Sequence, residues 1–427
     1  MNSNMIKIYI KQAIQSLREN KLISIISISG IAFAIAAMLV IVLTVQIDMA
    51  GYAPESNRQR MLHILGTTVK YVEGSNTNNG QMSKEVAEIC FYSLRTPEAV
   101  TAYTGVMPQL PVSLPNKRLF REYCPCYADV NYWKVFDHQF VEGQPFSAED
   151  FQSGIRNVVI TEKLAFDLFG KERAVGRQII VNYLNYTVCG VVRNVPSRGM
   201  NSFFELCMPY TCNERLLKTS RYYENMTGPF IVSMLARSAS DFKAIRSEVD
   251  AQVKKYNSEK KQCQLSFPGG VLTQSDIAIG ANGFQRADWK EFLISSGLIM
   301  FLLLIVPALN LTGVIQSAMQ KRKEEIGLRK AFGATNKDLI IQVLVENLVQ
   351  TTIGGLIGII LSILLLNLGK SFLLFGAVTL TADMLIKPWL FLAAIVIIFL
   401  LNLVSAGIPA WITMRQPITK AITGDEY

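Results

Sequence analysis

Four uninterrupted apolar runs constrain this chain more than any other feature: Leu22 to Ile47, Phe292 to Gln316, Leu339 to Leu368 and Trp389 to Met414. A helix needs roughly 20 apolar residues to cross the ~30 Å hydrocarbon core of a bilayer, and each run is long enough. Glu346 is the one charged residue within all four. Core helices of soluble proteins are shorter and carry polar faces, so the runs predict membrane spans. The first run follows basic residues, as in a signal peptide. Its apolar part far exceeds the roughly 7 to 15 residues of such a segment, which predicts a retained helix. Composition agrees, with half of the 427 residues hydrophobic and a mean hydropathy of +0.27.

Basic residues set the expected orientation. Lys7, Lys11, Arg18 and Lys21 precede the first span, and six basic residues against three acidic ones lie in Lys321 to Asp338, between the second and third spans. Excess Lys and Arg in short loops marks the cytoplasmic side. The loop Gly369 to Pro388 carries only Lys370, Lys387 and Asp383, as an outside loop should, and Arg415 and Lys420 return to the inside. The expected arrangement is an N-in, C-in α-helical membrane protein with four transmembrane helices at 22–47, 291–316, 339–368 and 389–414. Residues 1–21 form an N-terminal amphipathic cytoplasmic helix, 317–338 a cytoplasmic loop, 369–388 an outer loop and 415–427 a cytoplasmic tail. Residues 48–290 stand outside as an α+β domain inserted between the first two spans, large enough for one or two globular units with their own core, two subdomains being expected.

The outer region is nearly balanced in charge, so the net +9 arises mainly from the cytoplasmic segments and the high pI does not signal nucleic-acid binding. "MLHILGTTVKYV" (61–72) reads as a strand and "EGSNTNNGQMS" as a turn. "KEVAEICFYSLRT" reads as a helix ended before Pro97. "RNVVIT" is strand-like, "EKLAFDLFG" a short helix closed by Gly170, "RQIIVNYLNYTVCGVV" a hairpin, and "PFIVSML" a strand before a helix over 240–255.

All seven cysteines lie in this region, where an oxidising compartment would permit disulfides; the odd count leaves at least one thiol free or paired outside the chain. Cys124-Pro-Cys126 has one intervening residue, not the two of redox motifs, and only His63 and His138 exist to complete a metal set. A structural or incidental role is expected for the pair. No Ser/His/Asp or Cys/His nucleophile can be assembled, so the chain is not expected to be an enzyme. Gly369-Lys370-Ser371 lacks the glycine that a phosphate loop carries five positions earlier, where Leu364 stands.

Between the second and third spans, "KRKEEIGLRKAFGATNKD" reads as a short amphipathic helix. Glu325 and Arg329 stand four apart in the favourable order, Leu328 and Phe332 share a face, and Gly333 is placed to stop it. Thr335 with Asp338 resembles a capping box that opens the third span. Two uses stay open on physics alone: fixing topology, or docking a partner.

"RKEEIGLRKAFGATNKDLIIQVLVENLVQTTIGGLIGIILS" resembles the FtsX-like permease domain of ABC transporters in the MacB, LolC and LolE group, sometimes called type VII. "MIKIYIKQAIQSLRENKLISIISISGIAFAIA" resembles that family's N-terminal amphipathic helix running into its first span. "GQPFSAEDF" with "NVVITEKLAFDLFGKERAVGRQIIVNYLNYTVCGVVRNVP" resembles its MacB-like periplasmic core domain. The resemblance implies an inner-membrane permease that dimerises with a second copy or a homologue and couples to a cytoplasmic ABC ATPase. ATP and Mg would be bound by that partner, with no cofactor in this chain, and force would pass to the periplasmic side. A periplasmic membrane-fusion or carrier protein is a further partner of such systems. The ATPase-docking role carries over to Lys321, Arg322, Glu324, Glu325, Ile326, Gly327, Leu328, Arg329, Lys330, Ala331, Phe332, Gly333 and Ala334, with Leu328 and Phe332 as its apolar contacts. Unlike MacB, the sequence as it stands has no fused ATPase domain, so a separately encoded one is expected. The implied work is export or extraction of a drug, peptide or lipoprotein. The competing reading is an FtsX-like regulator or anchored receptor that controls a periplasmic partner without transport.

Further features fit the bilayer. Ile6, Tyr9, Ile10, Ala13, Ile14 and Leu17 make an amphipathic stripe that would lie in the inner interface or extend the first span. Gly354, Gly355 and Gly358 include a small-xxx-small pair that lets helices approach closely, dimerisation being one use of several. Gln342, Glu346 and Gln350 recur at four-residue spacing, with Glu346 expected to be a partner-facing or interfacial carboxylate rather than a proton or substrate site.

Overall fold

The computed structural model describes residues 3–19, 21–73, 76–115, 120–195, 201–218, 223–321, 335–369 and 388–407. These fall into two compact units: a helical one made of the described residues up to Thr44 and from Lys290, and a strand-rich one over Val45–Trp289.

Two helical stretches open the chain, α1 (Ser3–Glu19) and the apolar α2 (Lys21–Met49), with residue 20 between them outside the described residues, and the amphipathic stripe lies on the first. Next come β1 (Met61–Ile64), β2 (Thr67–Tyr71), β3 (Thr77–Met82), α3 (Lys84–Cys90), β4 (Ala99–Thr104), β5 (Leu110–Ser113), β6 (Arg121–Tyr123) and β7 (Pro125–Ala128). They are followed by α4 (Tyr132–Val135), β8 (Phe140–Gly143), α5 (Ala148–Gln152), β9 (Asn157–Thr161), α6 (Glu162–Phe169), β10 (Gln178–Val181), β11 (Leu184–Val192) and β12 (Leu206–Pro209). The strand-rich unit closes with α7 (Glu214–Leu217), β13 (Thr227–Gly228), β14 (Phe230–Leu235), α8 (Phe242–Ser258), β15 (Cys263–Ser266), β16 (Leu272–Thr273) and α9 (Gln274–Ala278).

Local chemistry explains several of these elements. Ser83 caps α3 by accepting from the Val86 N–H at 3.2 Å, Thr161 caps α6, and a Ser147–Asp150 capping box opens α5. Gly170 ends α6 at φ +67°, open to a residue without a Cβ. Asn182 and Tyr183, both at positive φ, turn β10 into β11 as a two-residue hairpin requires. On α8, Ile245, Val249 and Tyr256 are buried on one face.

The strands join in the order β15-β2-β3-β14-β4-β7-β12-β9-β11-β10-β5-β6, with β1, β8, β13 and β16 attached beside that path. Pairing is antiparallel except for β7 with β12 and β9 with β11, which are parallel. Two corrections to the sequence reading follow. The run 61–72 is two strands, split before Gly66, where a Cβ would lie 2.8 Å from the Gly283 Cα. The polar stretch 77–82 is not a turn but β3, held in register with β2 from Thr67↔Gly80 to Lys70↔Thr77; ladder pairing overrides its weak strand propensity.

In the helical unit, α10 (Trp289–Lys321) and α11 (Asn336–Leu368) contain the second and third apolar runs, while α12 (Pro388–Asn402) covers the first part of the fourth, which from residue 408 lies outside the described residues. Ile31, Ile35 and Leu39 of α2 pack with Ala394 and Ile398 of α12, Ile359 of α11, and Leu304 and Ala308 of α10. Among the described residues, Ser24–Met49 and Ile340–Leu368 are long and apolar enough to cross a membrane.

Candidate functional site

Of the expected docking residues, Lys321 is the last residue of α10, while Arg322 to Ala334 lie outside the described residues. The flanking elements are described: α10 continues past the predicted span end at Gln316, and α11 begins at Asn336, directly after Thr335.

The glycine set lies within the helical unit, against α2 and α12. A Cβ at Gly354 would stand 2.9 Å from the Ile31 Cβ, and one at Gly358 would stand 2.8 Å from the Ala32 carbonyl oxygen. Both are backbone-level collisions, so α11 seats on α2 only because these side chains are missing. Gly355 faces Ile398 of α12 instead. Upstream on α11, Gln342 donates through Nε2 to Gln12 Oε1 of α1 at 3.2 Å, and Glu346 is half-buried.

A second cluster, not foreseen from the sequence, stands where α2 ends, and every residue in it belongs to the strand-rich unit. The last carbonyls of a helix have no partner within it and carry partial negative charge. Arg58, 1% exposed, supplies that partner: its Nη1 donates to the carbonyls of Ile47 at 3.1 Å, Asp48 at 3.1 Å and Ala50 at 2.9 Å. Its Nε donates to Glu55 Oε2 at 2.8 Å, and the other Glu55 oxygen accepts from the Ser202 N–H at 2.9 Å and hydroxyl at 2.8 Å. The Tyr52 ring lies 4.5 Å from the guanidinium carbon, and its hydroxyl donates to the Ile47 carbonyl at 2.7 Å. Gln274 at the start of α9 donates to the Asp48 carbonyl at 2.8 Å.

The electrostatics follow from burial. Desolvation works against the charged guanidinium, but Glu55 and Tyr52 outweigh it and hold the Arg58 pKa above its ordinary value. Burial pushes the Tyr52 hydroxyl up. His63, on β1 just beyond Arg58, donates or accepts through Nδ1 at Ser233 Oγ, 2.7 Å away. Burial and then the Arg58 charge lower its pKa to about 3. The arrangement is a helix cap built on a buried guanidinium–carboxylate pair. The signal in the sequence was slight: Glu55 and Arg58, three apart in "PESNR", shortly after a span.

The cysteines are free thiols, and Cys126 of β7 stands in register with Cys207 of β12. Burial pushes the Cys90 and Cys189 thiols up to about 12 and raises Cys207, Cys212 and Cys263 as well. Among the described residues no group of three or more His, Cys, Asp or Glu is placed to hold a metal ion.

Comparison with known proteins adds to this geometry. The description of a MacB-like periplasmic core domain matches residues 24–252, and that of an FtsX-like permease C-terminal region matches 297–418. The uncharacterized ABC transporter permease YknZ of Bacillus subtilis is 24% identical over 82% of this chain and 84% of its own length. The macrolide export ATP-binding/permease protein MacB of Pasteurella multocida is 26% identical over 63% of this chain, which spans 39% of that protein. The crystal structure of the YknZ extracellular domain covers 47% of this chain at 20% identity, with a TM-score of 0.33.

Proposed function

We propose, from the premise that this chain belongs to the FtsX-like ABC transporter permeases with a MacB-like periplasmic core domain, that it is a mechanical permease subunit. A separate cytoplasmic ATPase hydrolyses ATP, and the chain, working as a dimer of permeases, converts that hydrolysis into movement of its periplasmic domain. It crosses the inner membrane four times with both ends inside. Its ATPase docks on Lys321 to Ala334, and the work done outside is export or extraction of a substrate. A relative named for macrolide export favours this over a purely regulatory role.

The observation that carries the reading is the capped end of α2. The helix is unbroken from Lys21 to Met49, and Arg58, Glu55, Tyr52 and Gln274 hold its closing carbonyls in a buried network. Side chains that grip a helix end in this way leave it little freedom to turn or slide inside the domain. An axial displacement of α2 then becomes a displacement of the domain, as a mechanical subunit requires.

The test addresses the proposed docking segment, Lys321 to Ala334. Leu328→Asp would bury an unpaired charge against the ATPase, at a cost of several kcal/mol. The basic residues that set topology stay intact, so membrane insertion survives. The neighbouring ATPase should copurify with the wild-type chain and be lost from the Leu328→Asp chain. Equal recovery with both would remove the docking role, and recovery with neither would favour the anchored-receptor alternative.

A further inference from the structure

We infer that α1 is a binding surface for anionic phospholipid, with Lys11 and Arg18 as its headgroup contacts. At about 100° per residue, the helix divides into sectors. Gln12 and Ala13 face α11: Ala13 is fully buried, and Gln12 accepts the Gln342 amide at 3.2 Å. Ile10 and Ile14 form a separate row, 40% and 45% exposed. Lys11 and Arg18, seven apart and both exposed, form the row beside it, with the exposed Ile8 on the far side.

A face meeting only water would not alternate rows of isoleucine with rows of cation, and a face meeting only hydrocarbon would carry no cation. A surface of both kinds, on the helical stretch Ser3–Glu19 that directly precedes a bilayer-length apolar one, matches the boundary between acyl chains and headgroups. There the isoleucines enter the acyl layer, and Lys11 and Arg18 reach phosphate through their flexible stems. Because α1 also bonds α11, lipid charge would act on a helix joined to the segment that follows the expected docking region. The inference rests on the chain being a membrane protein and is independent of the ATPase.

The experiment uses the full chain in nanodiscs of phosphatidylcholine alone or mixed with phosphatidylglycerol, and follows amide hydrogen exchange over Ser3–Glu19. Symmetric lipid makes the result independent of orientation. Each cation near an anionic surface strengthens binding about fivefold, so exchange should slow by up to roughly thirtyfold in the mixed lipid. The effect should fade at high salt. The Lys11→Gln/Arg18→Gln chain should lose it, while exchange in α8 stays the same throughout. Equal exchange of α1 in both lipids, or an undiminished lipid effect in the double variant, would overturn the inference. Failure of the chain to enter nanodiscs at all would overturn the membrane reading and this inference with it.

Discussion

At Gly358 the helical unit makes a close contact by leaving a side chain out, whereas at Arg58 the strand-rich unit fills the space with a guanidinium and satisfies its donors. The first device suits a setting where apolar surface is no longer scarce outside the protein and close approach of backbones holds helices together. The second suits a domain that excludes water from its core, where a charge is stable only if every donor and acceptor is matched. The two units therefore fail in different ways, the helical one by added bulk and the strand-rich one by a lost partner.

The largest effect should come from Arg58→Leu. It removes three donations to the carbonyls at the end of α2, leaving those of Ile47 and Asp48 to Tyr52 and Gln274, and leaves the buried Glu55 carboxylate with Ser202 alone, a loss of about 3–5 kcal/mol. Thermal unfolding of the purified chain, followed by aromatic fluorescence, should show it, and adding Glu55→Gln should restore part of the loss. A midpoint unchanged by Arg58→Leu would break the contrast.

Next in size is Gly358→Val, which drives a methyl-bearing Cβ against the Ala32 carbonyl oxygen. Overpacking of this kind costs about 1–3 kcal/mol and should lower the detergent resistance of the helical unit. Gly297→Ala, on α10 with nothing within 4 Å, should be neutral or slightly stabilising by helix propensity. Equal losses from both would show that α11 does not depend on backbone approach.

Acid should act on the strand-rich unit more gently. His63 and His138 are held near a pKa of about 3 by burial, against about 6.5 when exposed. Between those values the unfolded chain binds more protons than the folded one, so stability falls as pH drops below about 6.5. The loss is on the order of 1 kcal/mol per histidine over the first pH unit. Chemical denaturation at graded pH would measure it, and His138→Phe should flatten the slope; a slope of the opposite sign would contradict the burial of both rings.

Legibility in the sequence follows the same division. Helices α2 and α11 could be read from uninterrupted apolarity, α6 from the glycine that closes it and the β10–β11 hairpin from alternation, whereas α3, read up to Pro97 from its apolar face, stops at Cys90. Strands such as β6 and β12 are three or four residues long, with partners far away in sequence, and carry no periodicity of their own. The Arg58 cap was hidden for a related reason: its meaning lies in carbonyls of Ile47 to Ala50 and in Ser202, and nothing at Arg58 itself announces them. Gly354 and Gly358 were legible as a motif, but their partners Ile31 and Ala32 were not.

The buried cysteines bear on how the strand-rich unit meets its redox surroundings. A thiol exchanges only through its thiolate, and burial keeps the thiolate of Cys90 and Cys189 scarce at any physiological pH. Cys126 and Cys207, side by side in the sheet, are likewise screened from soluble oxidants by the residues packed around them. In the folded domain these thiols are therefore slow to exchange, whatever the redox poise around it.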